Sequence, residues 1–194
     1  IIPRVIQHLI GSVSCIFIYF LAKKLFNRKV AIVSGLLAAF YGMLWYFEDE
    51  LLLDPFLVFF ALLLILHLLK TKENPKLSMW FVSGIILGFS AITRPNILFF
   101  VPFIWLWIFL VFKKEKPIKK ILIYCFSFLL GGILIISPVT LRNLLVGGDL
   151  VLIASQGGIN FYIGNNKNSD GVSAIFYKED WQYRDFQKVA EKET

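Results

Sequence analysis

The sequence predicts an all-α integral membrane protein: a bundle of about six transmembrane helices at residues 1–138, then an extracytoplasmic α/β or irregular segment at 139–194. Three observations carry this. Of the 194 residues, 58% are hydrophobic and 17% charged, where an ordinary soluble domain has roughly half and a quarter. The apolar residues fall into six blocks, at 5–22, 30–47, 55–69, 77–93, 97–112 and 121–138. Finally, Lys and Arg collect in every second connection between those blocks.

Each block reads as a helix, because a bilayer core of about 30 Å takes roughly 17 to 25 helical residues and none of them alternates apolar with polar as a barrel strand does. Block 5–22 ends in Lys23-Lys24 and lacks a small-residue cleavage site, so it reads as a span and not a signal peptide. Block 30–47 runs from Arg28-Lys29 to Glu48-Asp49-Glu50. Block 55–69 is short and can borrow residues 51–53; Asp54 before Pro55 reads as an N-cap followed by a first-turn proline. Block 77–93 carries Gly84 and Gly88, a small-xxx-small pair suited to close helix approach. Block 97–112 follows Pro95, and block 121–138 contains Gly131-Gly132 and ends at Pro138, the two prolines marking where spans stop or restart. Cys15 and Cys125 lie inside apolar runs and are expected to be packing residues, not a disulfide. The chain starts at Ile1 without a Met and stops at Thr194 inside a polar helical pattern, so it is expected to be a fragment.

Charge gives the orientation. The net charge is +7, which in a soluble protein would suggest nucleic acid. Here the cations are Lys23, Lys24, Arg28 and Lys29 after the first block, Lys70, Lys72 and Lys76 after the third, and Lys113, Lys114, Lys116, Lys119 and Lys120 after the fifth. The intervening connections hold Glu48, Asp49, Glu50 and Asp54, then only Arg94-Pro95-Asn96. Positive loops stay cytoplasmic, so the acidic connection, Arg94 and everything after Pro138 are expected outside the cytoplasm. The partner is a lipid bilayer, with no nucleic acid.

Residues 139–194 are richer in Asn and Gly, with short apolar runs such as Leu150-Val151-Leu152-Ile153; turns and short strands are expected first, then helix from about Lys178. Asn166-x-Asn168-x-Asp170-Gly171 mimics a calcium loop, but Tyr177 stands where a bidentate Glu is needed. His8 and His67 are separated by two spans and offer no zinc site. No Walker loop, dinucleotide fingerprint or nucleophile elbow is present.

The chemistry therefore gathers at the outer mouth. Charged groups this near hydrocarbon are costly unless paired or hydrated. Glu48, Asp49 and Glu50 can act as bases or hold a divalent cation, and the guanidinium forks of Arg94 and Arg142 suit phosphate oxygens. A solvated acidic loop with structural ion pairs accounts for the same composition.

The run Ser137-Pro138-Val139-Thr140-Leu141-Arg142-Asn143, then Gln156-Gly157-Gly158-Ile159-Asn160-Phe161-Tyr162-Ile163-Gly164-Asn165-Asn166, closely resembles bacterial polytopic membrane glycosyltransferases of the GT-C type. These are the enzymes similar to protein O-mannosyltransferases and the lipid A aminoarabinose transferase. Leu87-Gly88-Phe89-Ser90-Ala91-Ile92-Thr93-Arg94-Pro95-Asn96 and Tyr46-Phe47-Glu48-Asp49-Glu50-Leu51 look like further blocks of that family.

The resemblance implies transfer of a sugar from a polyprenyl-phosphate donor to a glycan, lipid or protein acceptor, at the extracytoplasmic face of a bacterial inner membrane. It implies a principal carboxylate base upstream of residue 1, so that this fragment alone would be inactive, and a divalent metal ion as a possible cofactor with no assigned ligands. Glu48, Asp49 and Glu50 would be supporting catalytic groups, with Arg94, Arg142, Asn143, Asn160 and Asn165 on the substrate side. Two alternatives stay open: a transporter or flippase for an anionic lipid or solute, and a non-catalytic membrane scaffold.

Overall fold

The computed structural model describes residues 1–148, 150–154, 161, 164 and 165. They divide between two compact units, Ile1–Ile153 and Ala154–Thr194. The first unit is wholly helical: α1 (Ile2–Leu25), α2 (Arg28–Ala39), α3 (Gly42–Asp49), α4 (Asp54–Glu73), α5 (Leu77–Thr93), a 3₁₀ turn (Pro95–Phe100), α6 (Val101–Phe112) and α7 (Ile118–Gly147).

Local sequence sets most of the boundaries. Lys23 and Lys24 occupy the last turn of α1, where cations suit the helix dipole. The Asn27 side chain caps α2 by accepting the Val30 N–H at 3.0 Å. Arg94 precedes Pro95, is held extended (φ −146°, ψ 106°) and ends α5. Gly148, at φ 76°, closes α7 in the left-handed conformation while its N–H bonds the Leu144 carbonyl at 3.1 Å.

Four of these helical stretches are long and apolar enough to cross a membrane: Ile2–Leu25, Asp54–Glu73, Pro95–Phe112 and Ile118–Gly147. Leu77–Thr93 is a shorter apolar helix, and α2 with α3 forms a pair bent by 44° that has the composition of a fifth span. The flanks of α1, α6 and α7 expose Leu9, Ile16, Phe103, Leu106, Leu122 and Phe126. A surface this apolar is what lipid requires.

Four expectations change here. The block at 30–47 is not one straight helix: it breaks at Phe40-Tyr41, just before Gly42, whose missing side chain makes it a poor helix former. The third span does not borrow residues 51–53, because Leu51 sits at φ 56° and turns the chain, and α4 extends instead to Glu73. Leu53, not Asp54, holds its N-cap position, and Asp54 is the first residue of the helix. Pro138 does not stop the last span, and Arg142 and Asn143 are helical. In apolar surroundings the backbone keeps its hydrogen bonds where it can. The carbonyl that the proline leaves without its N–H, that of Leu134, lies 3.4 Å from the Ser137 hydroxyl.

After α7, residues 150–154 form no strand. The strands and the helix expected further on lie outside the described residues, apart from Phe161, Gly164 and Asn165, which are helical. Both cysteines are free.

The core lies among α4, α5, α6 and α7. Trp80 is fully buried, stacked on Tyr124 with ring centroids 5.6 Å apart and edge-on to Phe112 at 6.0 Å. Helices α5 and α7 touch backbone to backbone. A Cβ on Gly84 would overlap the Phe128 carbonyl oxygen, and one on Gly131 would overlap that of Phe81. This contact holds α5, and therefore Arg94 at its end, against α7.

The bundle has two chemically distinct ends. At one, Lys24 pairs with Glu73 at 2.8 Å between the C-termini of α1 and α4, among most of the other cations. At the other, the start of α1, the end of α3, the start of α4 and the end of α5 meet.

Candidate functional site

The end of α3 and its C-cap Glu50 deliver three consecutive carboxylates to that second end, and a helix spreads neighbours about 100° apart. Glu48 therefore turns inward and is 5% exposed, while Asp49 and Glu50 face outward. A buried carboxylate is costly unless it is paired. Glu48 meets the requirement through His8, whose Nδ1 lies 2.6 Å from Glu48 Oε2. It also requires space, which Gly11 gives: a Cβ there would overlap the Glu48 carboxylate.

The second imidazole nitrogen, Nε2, lies 3.2 Å from Asp49 Oδ1. Arg4 donates from Nε to the Asp49 carbonyl at 3.1 Å, and Gln7 from Nε2 to the Leu52 carbonyl at 2.7 Å. Arg4, Gln7, His8 and Gly11 recur at helical spacing, so one face of α1 holds the whole segment from 48 to 52. Gln7 Oε1 is buried without a hydrogen-bond partner among the described residues. Glu50 makes no side-chain hydrogen bond or ion pair among the described residues.

Beside this cluster, Arg94 Nη2 bonds both oxygens of Asp54, at 3.1 and 3.0 Å. The Arg94 side chain is 52% exposed. Its other N–H groups carry no hydrogen bond among the described residues, so they can meet a further anion. Arg142 is exposed on the last turns of α7, with no ion pair among the described residues. Asn143 is occupied otherwise: its Nδ2 donates to the carbonyls of Val151 and Ile153, both at 3.1 Å. In the second unit Asn165 Nδ2 donates to the Phe161 carbonyl at 2.8 Å, within one helical turn. Asn160 lies outside the described residues.

An apolar groove of about 720 Å³ opens along α7, between Leu87 of α5, Leu98 and Val101 near the start of α6, and Ile136 and Leu141 of α7 itself. Arg142 follows Leu141 directly. A hydrocarbon chain fits such a lining.

Among the described residues no group of three or more His, Cys, Asp or Glu side chains is placed to hold a metal ion. A divalent ion here would rest on one or two carboxylates and water, as magnesium does, or on donors outside the described residues.

The structure thus gathers Glu48 and Asp49 and puts Arg94 at the same end. Sequence reasoning misses the roles of His8, Arg4 and Gln7; it places Asp54 at the mouth with Arg94, where the two pair, but as an N-cap, which it is not. The available signal was Arg4, Gln7, His8 and Gly11 at helical spacing around the start of the first apolar block.

A model of the family described as dolichyl-phosphate-mannose-protein mannosyltransferase matches residues 3–141. The chain belongs to this family. It is thereby a membrane glycosyltransferase of the GT-C type, and the family's donor is a lipid-linked sugar. No curated protein and no solved structure gives a significant match. The match spans the mouth residues from Arg4 to Arg94 and ends at Leu141, one residue before Arg142.

Proposed function

We propose that this mannosyltransferase-family protein moves a sugar from a polyprenyl-phosphate carrier to an acceptor hydroxyl on the extracytoplasmic face of a bacterial cell membrane. The family match over residues 3–141 carries the reading. Alternating basic connections support the orientation. On this reading α5 and the bent α2–α3 pair also cross the bilayer, which makes six crossings and puts the His8, Glu48 and Arg94 end outside.

The acceptor oxygen bonds the anomeric carbon as the bond from that carbon to the phosphate oxygen breaks. The electron pair leaves with the lipid phosphate, and the acceptor proton passes to a carboxylate. Asp49, with Glu48 beside it and Glu50 at the rim, supplies the carboxylate field. Arg94 and Arg142 offer donors where the phosphate develops charge, a role that fixed donors perform well in a dry site. The prenyl tail would lie in the groove beside Leu141, Asn143 would tether the segment after α7, and Asn160 and Asn165 would shape the outer surface.

The test supplies radiolabelled polyprenyl-phosphate sugars to membranes containing the intact protein. Transfer to endogenous acceptors is expected. Failure across a broad donor panel, with translocation of the lipid instead, would shift the function to a flippase.

A further inference from the structure

We infer that His8 is a positioning residue for the mouth carboxylates: by engaging one oxygen of Glu48 and one of Asp49, it fixes Asp49 Oδ2 as the oxygen left for the acceptor hydroxyl. The inference rests on the glycosyltransferase reading above.

The geometry makes the case in three steps. First, both ring nitrogens of His8 face carboxylate oxygens, at 2.6 Å from Glu48 and 3.2 Å from Asp49. A neutral imidazole has one N–H, and ionised carboxylates only accept. Only the imidazolium donates to both at once, and its charge offsets the repulsion between two adjacent carboxylates.

Second, the segment that carries the carboxylates is held in place, so that His8 alone sets the Asp49 side chain. Glu48 is seated over Gly11, the Asp49 carbonyl takes the Arg4 Nε–H, and the Leu52 carbonyl takes the Gln7 amide. These contacts come from one face of α1 and span the turn in which Leu51 adopts φ 56°. The clamp therefore acts on a short, strained connection that lacks regular structure to hold it.

Third, the oxygens are not equivalent. Glu48 is buried, whereas Asp49 is 62% exposed at its side chain. Asp49 Oδ1 is taken by His8, and Asp49 Oδ2 has no hydrogen bond among the described residues. An acceptor hydroxyl approaching from the mouth meets that oxygen. Without His8 the Asp49 side chain would sample its rotamers freely, and Glu48 would be buried without its partner.

Full-length protein in its native membranes, with radiolabelled polyprenyl-phosphate mannose as the probe, tests this. His8→Ala is expected to lower apparent kcat about a hundredfold, the scale of a misplaced reacting group, with the donor KM within about twofold. His8→Asn, whose amide can take the place of Nδ1, should recover about a tenth of wild-type kcat or more. Unchanged kcat in His8→Ala overturns the inference. So does an inactive His8→Asn accompanied by equal losses of thermal stability in both variants, because the role is then only structural.

A readout independent of activity separates this failure from that of the reaction. In nitrogen-15 spectra of histidine-labelled protein, His8 is identified as the signal lost in His8→Ala. A ring protonated at both nitrogens, and reverting to the neutral form in Glu48→Gln, supports the clamp. A neutral ring in the wild type overturns it. If the wild type transfers no sugar, the glycosyltransferase reading falls and takes the catalytic purpose of His8 with it, while the spectrum still decides whether the clamp exists.

Discussion

Arg94 and Asp54, forty residues apart, meet through a single guanidinium nitrogen that lies 3.1 and 3.0 Å from the two carboxylate oxygens. The contact joins the start of α4 to the end of α5 and leaves most of the Arg94 fork unused. A half-exposed pair of this kind stabilises a protein by about 1 kcal/mol or less. Conservation of fold and loss of function should therefore separate. Arg94→Ala is expected to insert normally and to melt within a few degrees of the wild type, yet to lose about a hundredfold or more in transfer, as when a donor to developing charge is removed. Asp54→Asn should retain the larger part of activity, because Arg94 remains. Unchanged turnover in Arg94→Ala would remove it from the phosphate site.

The close approach of α5 and α7 gives a sharper stability test. Gly84→Ala would place a methyl group on the Phe128 carbonyl oxygen, and backbone cannot swing aside as a side-chain tip can. The cost expected is about 1 to 3 kcal/mol, typical of overpacking. Gly132 is next to this contact, but the nearest atom to a Cβ there is the Gly84 carbonyl oxygen at 3.6 Å, ordinary contact. Gly132→Ala should melt at or above the wild-type temperature, since Ala favours the helix. Equal effects of the two substitutions, measured by thermal unfolding in one detergent, would contradict this packing.

Much of the fold was legible because the apolar blocks and alternating lysines report solvent directly. The mouth was legible in part, since Glu48, Asp49 and Arg94 are conspicuous beside apolar runs. Its wiring was not. His8 is one polar residue in an apolar block, and its partner lies forty positions away, a relation that no local pattern encodes. The break at Phe40-Tyr41 was hidden because hydrophobicity is the same on either side of it. Pro138 misled for the opposite reason: proline usually ends helices in water, whereas inside an apolar bundle a continuing helix leaves fewer backbone groups unpaired. Arg142 and Asn143, past the expected end of the span at Pro138, are both on α7.

Trp80 anchors the other half of the bundle. It is fully buried against Trp107, Phe112 and Tyr124, and its Nε1–H has no hydrogen-bond partner among the described residues. Trp80→Ala removes the packing and is expected to cost about 3 to 5 kcal/mol. Trp80→Phe keeps a ring and removes the unsatisfied donor, so a loss of about 2 kcal/mol or less is expected. Circular dichroism melts of both variants compare the two; a Phe variant as unstable as the Ala variant would mean that the indole nitrogen does have a partner.

Asn143 separates a tether from a substrate contact. Its amide nitrogen bonds the carbonyls of Val151 and Ile153, while neighbouring Thr140 donates to Leu152 at 2.6 Å. The chain from 150 to 154 lacks secondary structure, so these side chains take the place of a sheet or helix partner in holding it. Asn143→Ala should remove about 0.5 to 1.5 kcal/mol per lost bond and speed amide exchange across 150–154, leaving α5 unchanged. Asn143→Asp should be worse, because a carboxylate oxygen then faces two carbonyl oxygens in place of the N–H groups. Thr140→Val should loosen the same segment to a smaller extent. If Asn143 instead contacts the substrate, Asn143→Ala will raise the donor KM with exchange at 150–154 unaltered, and the tether is excluded.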